Sequence, residues 1–184
     1  MILAAGASRR MGSPKQLAML AGETLLDRAV RTAHAAGCAP VVVVLGAAAE
    51  EIQAACRLDE AHIVLNPVWA EGMASSLRTG LEQLAADAVC AVVMTCDQPA
   101  VTAEHLRRLM LASEGGTGVA CSGYGEVRGV PACFPATTFA ALKALAGDAG
   151  ARKLLASARV VSLLDGELDV DTPEALDEAR KILG

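Results

Sequence analysis

Leu3-Ala4-Ala5-Gly6-Ala7-Ser8-Arg9-Arg10-Met11-Gly12-Ser13-Pro14-Lys15-Gln16-Leu17 follows directly on the first apolar residues of the chain. Met1-Ile2-Leu3 reads as a very short strand, and the small residues after it let a backbone approach a ligand closely. Successive N–H groups in such a loop can form an anion-binding concavity. Arg10 and Lys15 supply the positive charge that a polyphosphate needs. A strand feeding such a loop opens a strand–loop–helix unit, so further units should follow.

They do. Thr24 can cap a helix with Asp27 at its third position, and Leu25, Leu26, Ala29, Val30 and Ala33 give that helix one apolar face. Val41 to Leu45 is an unbroken apolar run ending at Gly46, as a strand covered on both faces should be. The spacing predicts a helix over 48–57, a strand over 62–65, and a helix carrying Ser76, Leu77, Leu81 and Leu84. Val89 to Thr95 is the next buried strand. It ends in Cys96-Asp97-Gln98-Pro99, after which Thr102 caps a helix bearing Leu106, Leu109 and Met110. Gly118 to Cys121 and Val130 to Phe134 read as strands flanking a Gly123-Tyr124-Gly125 turn. Helices over 136–145 and 148–157, a strand over 160–163 and a Thr172-Pro173 helix start complete the chain. Alternating strands and helices imply an α/β fold, a three-layer sandwich with a mostly parallel, Rossmann-like sheet whose ligands sit beyond the carboxyl ends of the strands.

The 184 residues suit a single domain over 1–184. A hydrophobic share of 53% with only 2% aromatics implies a core of Ala, Val and Leu. The formal charge of -5 leaves no basic field for a polyanion, which argues against nucleic acid or an anionic membrane as partner. No apolar run reaches the roughly 18 residues that span a bilayer, and a cytoplasmic location is expected. Cys38, Cys56, Cys90, Cys96, Cys121 and Cys133 are scattered singly, without metal-ligand spacing, and read as free thiols.

Two familiar phosphate motifs fail against the loop, since neither GxGxxG nor GxxxxGK[ST] is present. Asp97 stands out on physical grounds. A carboxylate at the end of a buried strand, before a Pro that stops continuation, projects from a rigid element into the crevice. Mg²⁺ is typically held by one or two such carboxylates plus phosphate oxygens. The bland reading of Asp97, and more strongly of Asp171, is a helix cap. His34, His62 and His105 share no spacing. Trp69 either packs its loop or stacks on a ligand, and Cys96 is read as a small apolar strand residue.

The loop resembles the signature LAAGxSxRMGxxKxL of nucleotidyltransferases built on an α/β sheet, at every fixed position. Within that superfamily the chain is most similar to the MobA-like group, and there to molybdenum cofactor cytidylyltransferases. Four further motifs carry the resemblance in order: Asn66-Pro67-Val68-Trp69-Ala70-Glu71-Gly72-Met73-Ala74-Ser75-Ser76-Leu77, Cys96-Asp97-Gln98-Pro99, Gly147-Asp148-Ala149-Gly150-Ala151-Arg152 and Asp169-Val170-Asp171-Thr172-Pro173. The resemblance implies a nucleotide site of Leu3, Ala4, Ala5 and Gly6, the last three lining base and ribose through their backbone, with Ser76 near the base. Arg10 and Lys15 would hold the phosphates, and Asp97 and Asp171 the Mg²⁺. Arg10, Lys15 and Asp97 are thus the expected catalytic residues, and Gly129, Pro131, Asp148 and Arg152 the acceptor side.

The expected activity is transfer of CMP from CTP to molybdopterin with release of pyrophosphate, a molybdenum enzyme being the eventual recipient. GTP on the same or another phosphorylated acceptor is the first alternative; Ala4-Ala5-Gly6, where guanylyltransferases of the group more often have a second glycine, favours CTP. A non-catalytic nucleotide-binding maturation chaperone is the second. A sugar-1-phosphate nucleotidyltransferase is disfavoured by the short chain. Two features depart from the pattern. Gly129-Val130-Pro131 stands where the group usually carries Gly-His-Pro, and the first strand is shorter than the five or six residues common in a sheet.

Overall fold

The computed structural model describes residues 1–58, 60–147 and 151–184, with the backbone alone at Arg152. β1 (Ile2–Ala4) runs into the long loop, which closes with a single 3-10 turn at Lys15–Leu17. A small hairpin of β2 (Met19–Leu20) and β3 (Glu23–Thr24) then leads to α1 (Leu25–Ala35). The Thr24 hydroxyl accepts the Asp27 N–H at 3.0 Å, the cap that its spacing predicts. β4 (Val42–Leu45), α2 (Ala49–Ala55), β5 (His62–Leu65), α3 (Met73–Leu81), β6 (Cys90–Thr95) and α4 (Ala103–Ala112) continue the alternation. β7 (Ala120–Tyr124), β8 (Val127–Pro135), α5 (Phe139–Lys143), α6 (Arg152–Leu155), β9 (Arg159–Ser162) and α7 (Pro173–Leu183) follow.

Seven strands form one sheet in the order β5-β4-β1-β6-β8-β7-β9. β1, β4, β5, β6, β7 and β9 share one direction, and β8 alone runs against them, between β6 and β7. Alternation along the strands distributes side chains to two cores. Ile2, Ala4, Val43, Leu45, Val92 and Met94 face Leu26, Val30, Ile52, Leu106 and Leu109 of α1, α2 and α4. Leu3, Val42, Val44, Ala91 and Val93 face Leu77, Leu81, Leu142 and Leu155 of α3, α5 and α6. This is the mixed α/β, mostly parallel architecture expected, with helices on both faces. A third cluster packs Leu176 and Ala179 of α7 on Leu20, Leu25 and Val170.

β1 is as short as its sequence implies, yet it is central and paired on both edges, Ile2 lying opposite Val43 and Met94. The Met1 ammonium donates to Val92 O at 2.8 Å, and Met94 N–H donates to Met1 O at 3.0 Å. α3 approaches so closely that a Cβ at Gly80 would fall 2.0 Å from the Met1 sulfur.

The chain leaves β1 toward β4 and β5, then returns to β6 on its other side. That reversal is the topological switch point of an open parallel sheet. One correction concerns the β7–β8 hairpin. Pairing continues to Tyr124 opposite Val127, so Tyr124 is a strand residue and the turn is Gly125-Glu126. Gly125, at φ 55, takes the position that a two-residue hairpin turn reserves for glycine. The expected helix over 148–157 is helical at Arg152–Leu155.

Candidate active site

The loop after β1 is fastened by one buried side chain. Gln16, 1% exposed, donates through its amide to Ala4 O at 2.6 Å and Gly6 O at 3.1 Å. Its carbonyl accepts the Ser8 hydroxyl at 3.2 Å, and Ser8 Oγ in turn accepts the Lys15 N–H at 3.0 Å. A buried amide is costly unless bonded, and here three bonds hold the two ends of the loop together. Ala5 O accepts the Ala47 N–H at 3.0 Å, tying the loop to the segment after β4.

A cleft of about 390 Å³ opens over this loop. Leu3, Ala4, Ala5, Gly6, Lys15, Ser76 and Asp97 line it together. Arg9 and Trp69 line it too. Trp69 is set by contact with Gly46, where a Cβ would meet Trp69 Cβ at 2.6 Å and Ala5 O at 2.8 Å. Ser76 is buried, its hydroxyl accepting from Asn66 Nδ2 at 3.0 Å, while Asn66 Oδ1 accepts the Val68 N–H at 3.1 Å. Arg10 is not on the cleft wall; its side chain is 71% exposed and pairs with Asp171.

Asp97, Asp169 and Asp171 converge at the mouth of the cleft, one carboxylate oxygen from each lying within 4.8 Å of the others. Two segments distant in sequence meet here because the Val170 N–H donates to Asp97 O at 2.8 Å. Neither aspartate caps a helix: Thr102 caps α4 and Thr172 caps α7. Instead the Lys15 ammonium donates to Asp171 Oδ1 at 2.6 Å and also to Asp97 Oδ2. Burial works against the Lys15 charge, but Asp97 and Asp171 outweigh it and hold its pKa above the ordinary lysine value. Asp169 is pushed up to about 7, first by burial and then by the charges of Asp97 and Asp171. Burial likewise raises the Cys96 thiol, which removes it as a nucleophile at neutral pH.

Asp169 is the member that sequence reasoning missed. Its signal was present in the contiguous Asp169-Val170-Asp171: Val170 is fully buried, and a tight turn closed by the Asp171 N–H on Asp169 O at 3.0 Å leaves both carboxylates at the same point. Three oxygen donors around one point, each disfavouring ionisation of the next, fit a hard divalent cation.

On the other side of β6 lies β8. Its register, Val93 opposite Ala132, carries Gly129, Val130 and Pro131 to the carboxyl end of β6. His105 and Ser122 back this edge: His105 Nε2 lies 2.7 Å from Ser122 Oγ, and that hydroxyl donates to Pro131 O at 2.7 Å. Burial first, then the nearby Arg108, lower the His105 pKa to about 4. Asp148 lies outside the described residues, and Arg152 is placed by its backbone as the first residue of α6. No helix among the described residues is long and apolar enough to cross a membrane.

Comparison with known proteins gives a consistent family. The model of the MobA-like NTP transferase domain matches residues 1–162. Nicotine blue oxidoreductase of Paenarthrobacter nicotinovorans is 35% identical over 95% of this chain and 92% of its own. A protein described as a probable molybdenum cofactor guanylyltransferase, from Opitutus terrae, is 34% identical over 64% of this chain and 56% of its own. The structure of Rv0371c from Mycobacterium tuberculosis H37Rv in complex with manganese superposes with a TM-score of 0.82. It is 32% identical and is covered over 98% of this chain and 96% of its own.

Proposed function

Since the chain belongs to the family of MobA-like NTP transferase domains, we propose that its single domain transfers CMP from CTP to molybdopterin and releases pyrophosphate, with Mg²⁺ held by Asp97, Asp169 and Asp171. The observation that carries this reading is the meeting, at the switch point, of a Gln16-fastened loop with three carboxylates, two of which, Asp97 and Asp171, share a lysine ammonium. Bound there, a divalent cation supplies charge neutralisation to the phosphate oxygens. The manganese complex of the Mycobacterium relative supports a divalent ion, and the Opitutus relative a molybdenum cofactor as acceptor.

The chain's own residues do the rest. An acceptor phosphate oxygen attacks the α-phosphorus in line, and the O–P bond to pyrophosphate breaks. A phosphate monoester is largely dianionic at neutral pH, its second pKa being about 6, so the attacking oxygen needs no base. Lys15 sits against Asp97 and Asp171, in position to meet the charge that develops on the transferred group. Arg9 on the cleft wall and Arg10 at its rim add to that field. Gln16 fixes the loop beforehand, so little reorganisation is needed during reaction.

A second reading, with GTP as donor, is favoured by the Opitutus relative, whereas Ala4-Ala5-Gly6 favours CTP. The oxidoreductase activity named in the Paenarthrobacter relative is not carried over, because the loop lacks the GxGxxG of a dinucleotide site. Pyrophosphate release measured with molybdopterin and either CTP or GTP, in Mg²⁺ or Mn²⁺, separates the readings. We expect turnover with CTP, and Asp97→Asn to lower kcat by about 10³-fold with CTP still bound. Turnover with GTP alone establishes the second reading. Nucleotide binding without turnover on any acceptor leaves a maturation chaperone, and no nucleotide binding at all removes all three.

A further inference from the structure

Resting on the transfer reaction above, we propose that Asn66 is a positioning residue for the nucleotide base: it makes the Ser76 hydroxyl a fixed hydrogen-bond donor, and that donor selects a base edge rich in acceptors, cytosine over guanine. Asn66 follows directly on β5, whereas Asp97 lies just beyond β6. β4 and β1 stand between those strands, so three spacings of about 4.8 Å separate the two ends of the cleft. The charged groups of its wall, Arg9, Lys15 and Asp97, come from the loops after β1 and β6. The segment after β5 contributes Trp69, Ala70, Gly72, Met73 and Ser76, all neutral. A nucleotide whose phosphates lie against the charged groups therefore turns its base toward Ser76.

The Asn66 side chain is buried, and its partners decide which way it faces. Oδ1 accepts the Val68 N–H at 3.1 Å, so Nδ2 faces α3 and donates to Ser75 Oγ at 2.8 Å and to Ser76 Oγ at 3.0 Å. The two serines then differ. Ser75 has an acceptor for its own hydrogen in Gly72 O at 2.8 Å, with Val68 O beside it at 3.2 Å. Ser76 has none among the described residues, and Ser76 is the one that lines the cleft. Because its oxygen already accepts from Asn66, its hydrogen points away from that amide and is left for a ligand. A buried hydroxyl hydrogen without an acceptor is costly, and a base can supply one. Cytosine presents N3 and O2 as neighbouring acceptors on its pairing edge, whereas guanine presents O6 beside N–H donors. A donor that cannot reverse favours cytosine, since a site built for one polarity leaves a buried group unpaired against the other.

Asn66 is the chain's one asparagine and Trp69 its one tryptophan. Trp69 emission can follow nucleotide binding, and selective ¹⁵N-asparagine labelling yields a single side-chain amide. CTP with Mg²⁺ should move the amide hydrogen bonded to Ser76 in the parent and not in Ser76→Ala. In Trp69 titrations the preference for CTP over GTP should fall by about 3- to 10-fold in Ser76→Ala, the loss expected for one neutral hydrogen bond. Asn66→Asp at pH 8 keeps the acceptor for the Val68 N–H but takes the Ser76 hydrogen for itself. Its preference should fall at least as far, and adding Ser76→Ala to it should change nothing further. Ser75→Ala should unfold at lower urea yet keep the preference within about twofold. Where urea unfolding shows that Asn66→Asp is not folded, the amide movement in the parent decides. An unchanged preference in Ser76→Ala, or a Trp69 response to CTP without movement of the amide, overturns this inference and leaves the proposed transfer standing. A parent that binds neither nucleotide, or binds GTP more tightly than CTP, overturns the CTP reading as well.

Discussion

Replacing Lys15 with Met tests the reasoning about the carboxylate cluster most directly. The ammonium lies against Asp97 and Asp171, with side chains only 16%, 12% and 25% exposed. Removing one partner of a buried ion pair costs about 3–5 kcal/mol. Partial exposure, and the readiness of Asp169 to take a proton near pH 7, place this case at the low end, about 3 kcal/mol. For a chain of this size each kcal/mol moves Tm by about 2–4 °C, so Lys15→Met should melt about 6–12 °C lower in a metal-free buffer at pH 8. The same substitution leaves the carboxylates without their internal cation. Mn²⁺ at about 100 times its Kd contributes about 2.7 kcal/mol by linkage, and it should stabilise the variant more than the parent, where it must displace Lys15. Calorimetric scans with and without Mn²⁺ therefore give a crossed result: lower Tm without metal, nearly equal Tm with it, and pyrophosphate release down by about 10²- to 10³-fold at saturating CTP. Equal stabilisation of both proteins by Mn²⁺ would refute the idea that Lys15 occupies the charge position a metal would take.

Gly46→Ala places a Cβ 2.6 Å from Trp69 and 2.8 Å from Ala5 O, which overpacks the cleft wall. It should cost about 1–3 kcal/mol in urea unfolding, raise KM for CTP and change Trp69 emission without ligand; an unaltered spectrum and KM would sink the placement of Trp69. The stability profile with pH should carry the mark of His105. Its folded pKa is lowered to about 4 from an ordinary value of 6.5, so its contribution is complete above pH 6.5 and is lost as pH falls toward 4. The loss approaches about 1.4 kcal/mol per pH unit within that window. The difference between the parent and His105→Gln in urea isolates it from the carboxylates, and a difference that does not change between pH 7.5 and pH 5 would count against it.

Much of the fold was legible because its strands are covered on both faces. Val41 to Leu45 and Val89 to Thr95 read as continuous apolar runs, and Thr24, Thr102 and Thr172 announced the helices they cap. The loop after β1 was legible because it is contiguous. What escaped depends on contacts between distant segments. Asp169 joins the site through the bond from Val170 N to Asp97 O, 73 positions apart in the chain by 170 − 97. Gln16 reads as an ordinary polar loop residue, and only the closed loop shows it to be 1% exposed. Tyr124 reads as a turn residue because glycines flank it, but one of those glycines makes the turn and the other continues the strand.

β8 is the one strand of the seven-stranded sheet that opposes its neighbours, and on the proposed reading this has a bearing on how the acceptor could change. Parallel strands are joined by long crossovers, so the part of the sheet from β5 to β6 is woven from segments spread over the first hundred residues. The opposing strand instead pairs with β7 as a hairpin spanning Ala120 to Pro135, one uninterrupted stretch that carries Gly129 and Pro131 together. On the expectation that Gly129 and Pro131 meet the acceptor, its preference is portable: a cassette of sixteen codons (135 − 120 + 1) could be exchanged between relatives while the segments around the loop after β1 are inherited untouched.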